Sequence, residues 1–97
     1  MKKDLGLLYM RGIVKFYLHM FYEALIDLDA VVEMDDDPPA KHYLARGRCH
    51  SCLSMFQEAI SDLSKAIELD EDCADAYFNR GKCAYLLGDT AVAFLDF

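Results

Sequence analysis

Ninety-seven residues, 55% of them hydrophobic and 28% charged, describe one globular domain with a core rather than a disordered chain or two domains. A formal net charge of −7 and a pI near 4.7 make nucleic acid a poor partner, because releasing counterions from a phosphate backbone takes clustered Lys and Arg. Only two prolines and five glycines interrupt the chain, which favours helices.

The opening stretch MKKDLGLLYMRG has neither the long apolar core nor the small-residue cleavage site of a secretory signal, and no apolar run approaches a bilayer's width. The four cysteines (Cys49, Cys52, Cys73 and Cys83) are therefore expected to be reduced, and the protein intracellular and cytoplasmic. No membrane partner is expected.

In chain order, the segment YMRGIV beginning at Tyr9 returns as LARGRC at Leu44 and FNRGKC at Phe78. Gly12, Gly47 and Gly81 are thus spaced by 35 and then 34 residues, and two further series, Ala24, Ala59, Ala93 and Asp27, Asp62, Asp96, keep the same step. The first half of each unit is broadly apolar, as in a helix packed on two sides. In the second half, Phe21, Ala24, Leu25, Leu28, Val31 and Val32 form a stripe at helical spacing, repeated by Phe56, Ala59, Ile60, Leu63, Ala66 and Ile67. The extra residue of the first interval falls near DDDPPA, where composition also indicates a turn. Asp37 or Asp72 is a candidate N-cap for the helix that follows, with proline accommodated in the first turn, and the acidic runs around them read as solvated.

A glycine inside a helix costs about 1 kcal/mol relative to Ala, so three at one register require a packing reason. Gly12, Gly47 and Gly81, set against Ala24, Ala59 and Ala93, are expected to let two helix backbones approach closely. One such hairpin cannot bury its own apolar faces, so neighbours must stack.

These features resemble the tetratricopeptide repeat (TPR) family: a period near 34, a small residue in each first helix, an alanine in each second. The third unit, DCADAYFNRGKCAYLLGDTAVAF, carries Tyr77, Gly81, the turn Leu87-Gly88-Asp89 and Ala93; the second, YLARGRCHSCLSMFQEAISDLSKAIELD, follows it. The first departs, with His19 and Met20 in place of Gly-Asp. The resemblance covers nearly the whole chain, as repeats over about 5–38, 40–73 and 74–97, the third truncated in its second helix. It implies an all-α fold of antiparallel helical hairpins stacked as a right-handed superhelix. It also implies a concave groove lined by the first helices that binds a peptide or a partner domain, and no catalytic residue, cofactor or metal. Because the third unit stops at Phe97, its open end is expected to favour self-association.

Arg11, Arg46 and Arg80 recur in step with Asp27, Asp62 and Asp96, and the expected arrangement pairs each arginine with the aspartate of its own unit, since partly buried charges are paired. Cys49-His50-Ser51-Cys52 has a C-x-x-C form, but it is expected mid-helix, lacks two further zinc ligands, and shares its register with Cys83; core filling is the favoured reading. His19 and His42 receive no role.

By the family geometry the groove includes Tyr9, Ile13, Phe16, Tyr17, Lys41, Leu44, Arg48, Phe78, Lys82 and Tyr85, with Arg48 and Lys82 side by side. A protein or peptide with apolar anchors and one or two carboxylates suits that surface. Some family members hold a chaperone's terminal carboxylate through Lys and Asn, but here the matching positions are Tyr9, Ile13, Ala45, Asp75 and Asn79, and that mode is disfavoured. The expected function is a non-catalytic interaction module; the alternative is a structural self-assembly unit of a larger scaffold.

Overall fold

The computed structural model describes residues 4–88 and 95–96. Ala93, Asp89 and the chain end at Phe97, on which the third Gly–Ala pairing and the open-end expectation rest, lie outside the described residues. The described part consists of five helices: α1 (Leu5–Tyr17), α2 (Phe21–Met34), α3 (Ala40–Cys52), α4 (Phe56–Leu69) and α5 (Ala74–Leu86). None of them is long and apolar enough to cross a membrane.

Local chemistry sets the helix ends. Asp4 caps α1, its Oδ1 accepting the Leu7 N–H at 3.1 Å. At the other end, the Met20 N–H reaches the Lys15 carbonyl at 2.9 Å and the His19 N–H reaches that of Phe16 at 3.0 Å, a Schellman closure. The second hairpin repeats it, with Met55 to His50 at 2.8 Å and Ser54 to Ser51 at 3.0 Å. This geometry needs a left-handed residue, and His19 (φ +62°), Ser54 (φ +59°) and Gly88 (φ +88°) supply it at one register. The first unit therefore turns like the others although it lacks the glycine.

The expected N-caps are corrected. Residues Pro39 and Cys73 occupy the cap positions of α3 and α5, and neither helix has a side-chain cap. Asp37 and Asp72 instead donate their backbone N–H groups to Asp35 Oδ1 (3.0 Å) and Asp70 Oδ1 (3.1 Å). The acidic runs close on themselves as Asx turns just past α2 and α4.

Helices α1 and α2 pair as one hairpin and α3 and α4 as the next, with α3 lying on α2 and α5 on α4. One buried cluster joins Ala24 and Leu28 of α2 to Ala45 and Cys49 of α3, with Tyr9, Ile13, Phe16 and Leu25 packed against it. The other joins Ala59, Leu63 and Ala66 of α4 to Ala76 and Cys83 of α5. Within each hairpin the glycine sets the spacing. A Cβ on Gly12 would lie 3.0 Å from Leu28 Cδ2 and 3.3 Å from Asp27 Cβ, and one on Gly47 would lie 2.9 Å from Leu63 Cγ and 3.2 Å from Asp62 Cβ. The close approach is thus to leucine and aspartate, one turn beyond the alanines expected to face the glycines; Ala24 and Ala59 are themselves fully buried.

The stack is elongated, 47 × 26 × 17 Å. Helix α1 touches α3 and α3 touches α5, whereas α2 and α4 are not in contact. First helices packed side by side under splayed second helices make the array curve, with α1, α3 and α5 on the inner side.

Candidate functional site: the inner face and its ion-pair ladder

The inner helices are registered by charge. Arg11 Nε and Nη2 donate to the Asp27 carboxylate at 2.9 and 2.7 Å; Arg46 does the same to Asp62 at 2.9 and 2.7 Å, and Arg80 to Asp96 at 2.7 and 2.9 Å. Each fork is bidentate, the strong geometry for a guanidinium on a carboxylate. Two of the arginines also bridge hairpins: Arg46 Nη1 reaches Asp29 of α2 at 3.4 Å, and Arg80 Nη1 reaches Ser64 of α4 at 3.2 Å.

Each of the first two aspartates has a further partner that the sequence reading missed. Lys15 Nζ lies 3.1 Å from Asp27 Oδ2, and His50 Nδ1 lies 2.9 Å from Asp62 Oδ2. Lys15 and His50 share a register, which was the available signal; the difference in residue type hid it. The hydrogen bond from Arg11, helped by Lys15, holds the Asp27 carboxyl below the usual range against the opposing effect of burial. Burial alone would push Asp62 up, but hydrogen bonds and charge from His50 and Arg46 together keep it low as well.

The cysteine motif sits at the C-terminal end of α3, with Cys52 as the last helical residue, rather than mid-helix. There the helix dipole opposes a thiolate. Burial pushes the Cys49 thiol up to about 12 and also raises Cys52. Cys49 and Cys83 are fully buried in equivalent places, the latter 3.4 Å from Ser51 Oγ. Among the described residues no group of three or more His, Cys, Asp and Glu side chains could hold a metal ion.

His42 is buried in α3, its Nδ1 without a hydrogen-bond partner among the described residues, and its ring centroid lies 4.7 Å from that of Tyr9. Burial, with Lys41 nearby, lowers its pKa and keeps it neutral. Lys41 Nζ is 5.4 Å from the Tyr9 ring centre, and Arg48 lies 4.9 Å over Phe16, both cation–π contacts. Ile13, Phe16, Tyr17, Ala45 and Arg48 line a shallow cleft between α1 and α3. Leu44 is half-buried against the second core cluster. Tyr17, Phe78, Lys82 and Tyr85 are exposed. Asn79 directs its amide to the Asp75 carbonyl of its own helix at 2.7 Å.

Stacked antiparallel hairpins with their first helices forming a continuous inner layer define an α-solenoid. More narrowly, residues 55–88 match the family model described as TPR repeat. No curated protein matches the chain in sequence. Solved structures do match. PcrH, in complex with the chaperone binding region of PopB, superposes with a TM-score of 0.91 at 23% identity, over 99% of this chain and 77% of that one. A T3SS complex from Aeromonas hydrophila superposes at 0.90 and 25% identity over 95% of this chain, which spans only 61% of that protein. The second TPR of Spaghetti (RPAP3), bound to the HSP90 peptide SRMEEVD, gives 0.89 at 24% identity, over 96% of this chain and 80% of that one.

Proposed function

We propose that this chain is a non-catalytic interaction module that holds a segment of another protein on the inner face of α1, α3 and α5. The observation that carries this reading is the composition of that face. Tyr17, Phe78 and Tyr85 are exposed there beside the cations Arg48 and Lys82, in a protein whose net charge is −7. Large amphipathic rings beside positive charge suit a partner with apolar anchors and one or two carboxylates. PcrH and RPAP3, which share the fold, are both seen with a bound peptide or protein segment. Arg11, Arg46 and Arg80 each fork onto an aspartate of their own hairpin, so the same reading assigns them to the scaffold rather than to the ligand. Four unpaired thiols fit a cytoplasmic setting.

The test is an array of 12-residue peptides bearing apolar anchors and one carboxylate, compared with the amide versions and with SRMEEVD. Arg48→Glu combined with Lys82→Glu is expected to weaken the best peptide at least tenfold, about 1.4 kcal/mol, with the far-UV circular dichroism unchanged. Failure of every acidic–apolar peptide to bind, or binding indifferent to the double charge reversal, would overturn the proposal.

A further inference from the structure

The seam between the first two hairpins holds a buried polar atom that the fold leaves unanswered. His42, in the first turn of α3, is 7% exposed, and its Nδ1 has no hydrogen-bond partner among the described residues. Such groups are few in a native fold, and each calls for an explanation. The ring lies 4.7 Å from that of Tyr9, centroid to centroid, so this imidazole spans the seam between α1 and α3. Leu7 of α1 and Ala76 of α5 occupy the same register, and neither can take up a proton. Only the second unit carries a titratable group there.

The surroundings suit a neutral ring and oppose a charged one. On α3 itself the neighbouring cation is Lys41, and the helix N-terminus adds partial positive charge. From α1 the facing group is the Tyr9 phenol, which burial keeps protonated and neutral. From the end of α2 comes one opposite charge, Asp35, whose Oδ1 already accepts the Asp37 N–H at 3.0 Å. Burial is the largest effect, and with Lys41 it outweighs Asp35 and lowers the His42 pKa. His50 shows the contrast. It is 8% exposed, but its Nδ1 has the Asp62 carboxylate at 2.9 Å. A proton on His50 meets a carboxylate within hydrogen-bond reach; a proton on His42 Nδ1 meets none among the described residues.

We propose that His42 is a proton-operated latch at one end of the inner face: neutral, it holds Tyr9 of the first hairpin against α3; protonated, it leaves the seam for water and lets that end open. Tyr9 is gripped from two directions, by the His42 ring and by Lys41 Nζ at 5.4 Å, so losing one loosens the other. The cluster of Ala24, Leu28, Ala45 and Cys49 lies farther along α3 and keeps the hairpins joined. The opening is therefore local. Its sign follows from burial: the closed seam is favoured fully above the free imidazole's value of ~6.5 and loses ground as pH falls below it. A single proton limits the effect to about tenfold in the opening equilibrium per pH unit. As a regulator of partner binding the latch rests on the groove reading above, since Tyr9 and Lys41 belong to the face proposed for the partner.

The experiment uses the full chain with no partner present, so a failed latch and a failed groove reading are separate results. Imidazole resonances are followed by NMR from pH 8 to pH 5, with His42→Leu and His42→Gln identifying the His42 signal. Amide hydrogen exchange is measured at pH 7.5 and pH 5.5 and corrected for its intrinsic rate. His42 is expected to reach half-protonation below ~6.5. Amides of residues 9–13 and 42–45 are expected to lose about threefold or more in protection at pH 5.5, and to keep it in both variants. Their exchange should also be indifferent to low urea, the mark of a local opening. The proposal is overturned if His42 titrates at or above the free value, or if these amides lose no protection in acid. It is equally overturned if both variants lose as much as the parent, or if the acid-induced exchange rises with urea, because the whole chain then unfolds rather than one seam.

Discussion

Gly47→Ala tests the close approach on which the stack is built. In an open helix the change would stabilise by about 1 kcal/mol. Here the new methyl would sit 2.9 Å from Leu63 Cγ and 3.2 Å from Asp62 Cβ, well inside the ~3.5–4.0 Å of a favourable carbon contact. Neither neighbour can yield easily. Leu63 is fully buried, and Asp62 is held by Arg46 and His50. Overpacking of this kind costs about 1–3 kcal/mol, so the two effects leave a net loss of roughly 1 kcal/mol. For a domain of this size that lowers the melting temperature by about 4–8 °C. A second variant turns the number into a cycle. Leu63→Ala alone should cost about 2–5 kcal/mol through the cavity it leaves. In the Gly47→Ala background the added methyl occupies part of that cavity, so the double variant should be more stable than the sum by about 1–2 kcal/mol. Urea unfolding followed by circular dichroism at 222 nm on the four proteins reads all of this. A Gly47→Ala chain that is more stable than the parent, with the two changes strictly additive, would refute the packing role of the glycine.

Ser54→Gly should raise stability by about 0.5–1 kcal/mol, because relief of the left-handed backbone at φ +59° outweighs the added chain entropy of glycine; a lower urea midpoint would count against it. Acid should destabilise the fold in a defined window. Asp27 and Asp62 have folded pKa values below their ordinary ones, so their contribution is full above the unfolded value of ~3.9 and is lost as pH falls through the folded values. Stability measured in urea on a His42→Leu background should therefore be level near neutrality and decline below about pH 4, more shallowly in Asp62→Asn; a flat profile down to pH 2.5 contradicts the ion-pair account. Ellman's reagent should modify exposed Cys52 first and half-buried Cys73 next, and reach Cys49 and Cys83 only on unfolding; four thiols reacting at one rate would rule out their placement in the core.

What the sequence disclosed and what it withheld follow from the kind of signal each feature leaves. Repeated identities were legible: Gly12 with Gly47, and Asp27 with Asp62, recur because one steric and one electrostatic requirement is met by a single residue type. Features set by the backbone were not. The hairpin turn is closed by N–H groups of residues 19–20 and 54–55 on carbonyls of the preceding helix, so His19 and Ser54 serve where a glycine was sought. The acidic turns misled for a related reason. An aspartate just before a helix reads as a cap, yet Asp37 and Asp72 are donors to Asp35 and Asp70, a local competition that residue type alone does not decide. The third members of the charge clusters, Lys15 and His50, share a position but not a chemistry, so a search for identities passed over them.

Periodicity has a further blind spot that bears on function. Leu7, Met10 and Val14 carry the helical spacing of a core face, and nothing in that spacing states whether a neighbour covers it. The answer comes from comparing equivalent positions in space: Cys49 and Cys83 are sealed beneath α2 and α4, whereas Val14 at the same register is open. The Arg11 side chain makes the same point with charge, since its fork to Asp27 is complete while, among the described residues, its Nη1 has no acceptor like those Arg46 and Arg80 find on the preceding helix. Burial at one register is therefore decided by the neighbouring helix and not by the spacing: Ala45 and Cys49 are covered because Ala24 and Leu28 of α2 lie against them.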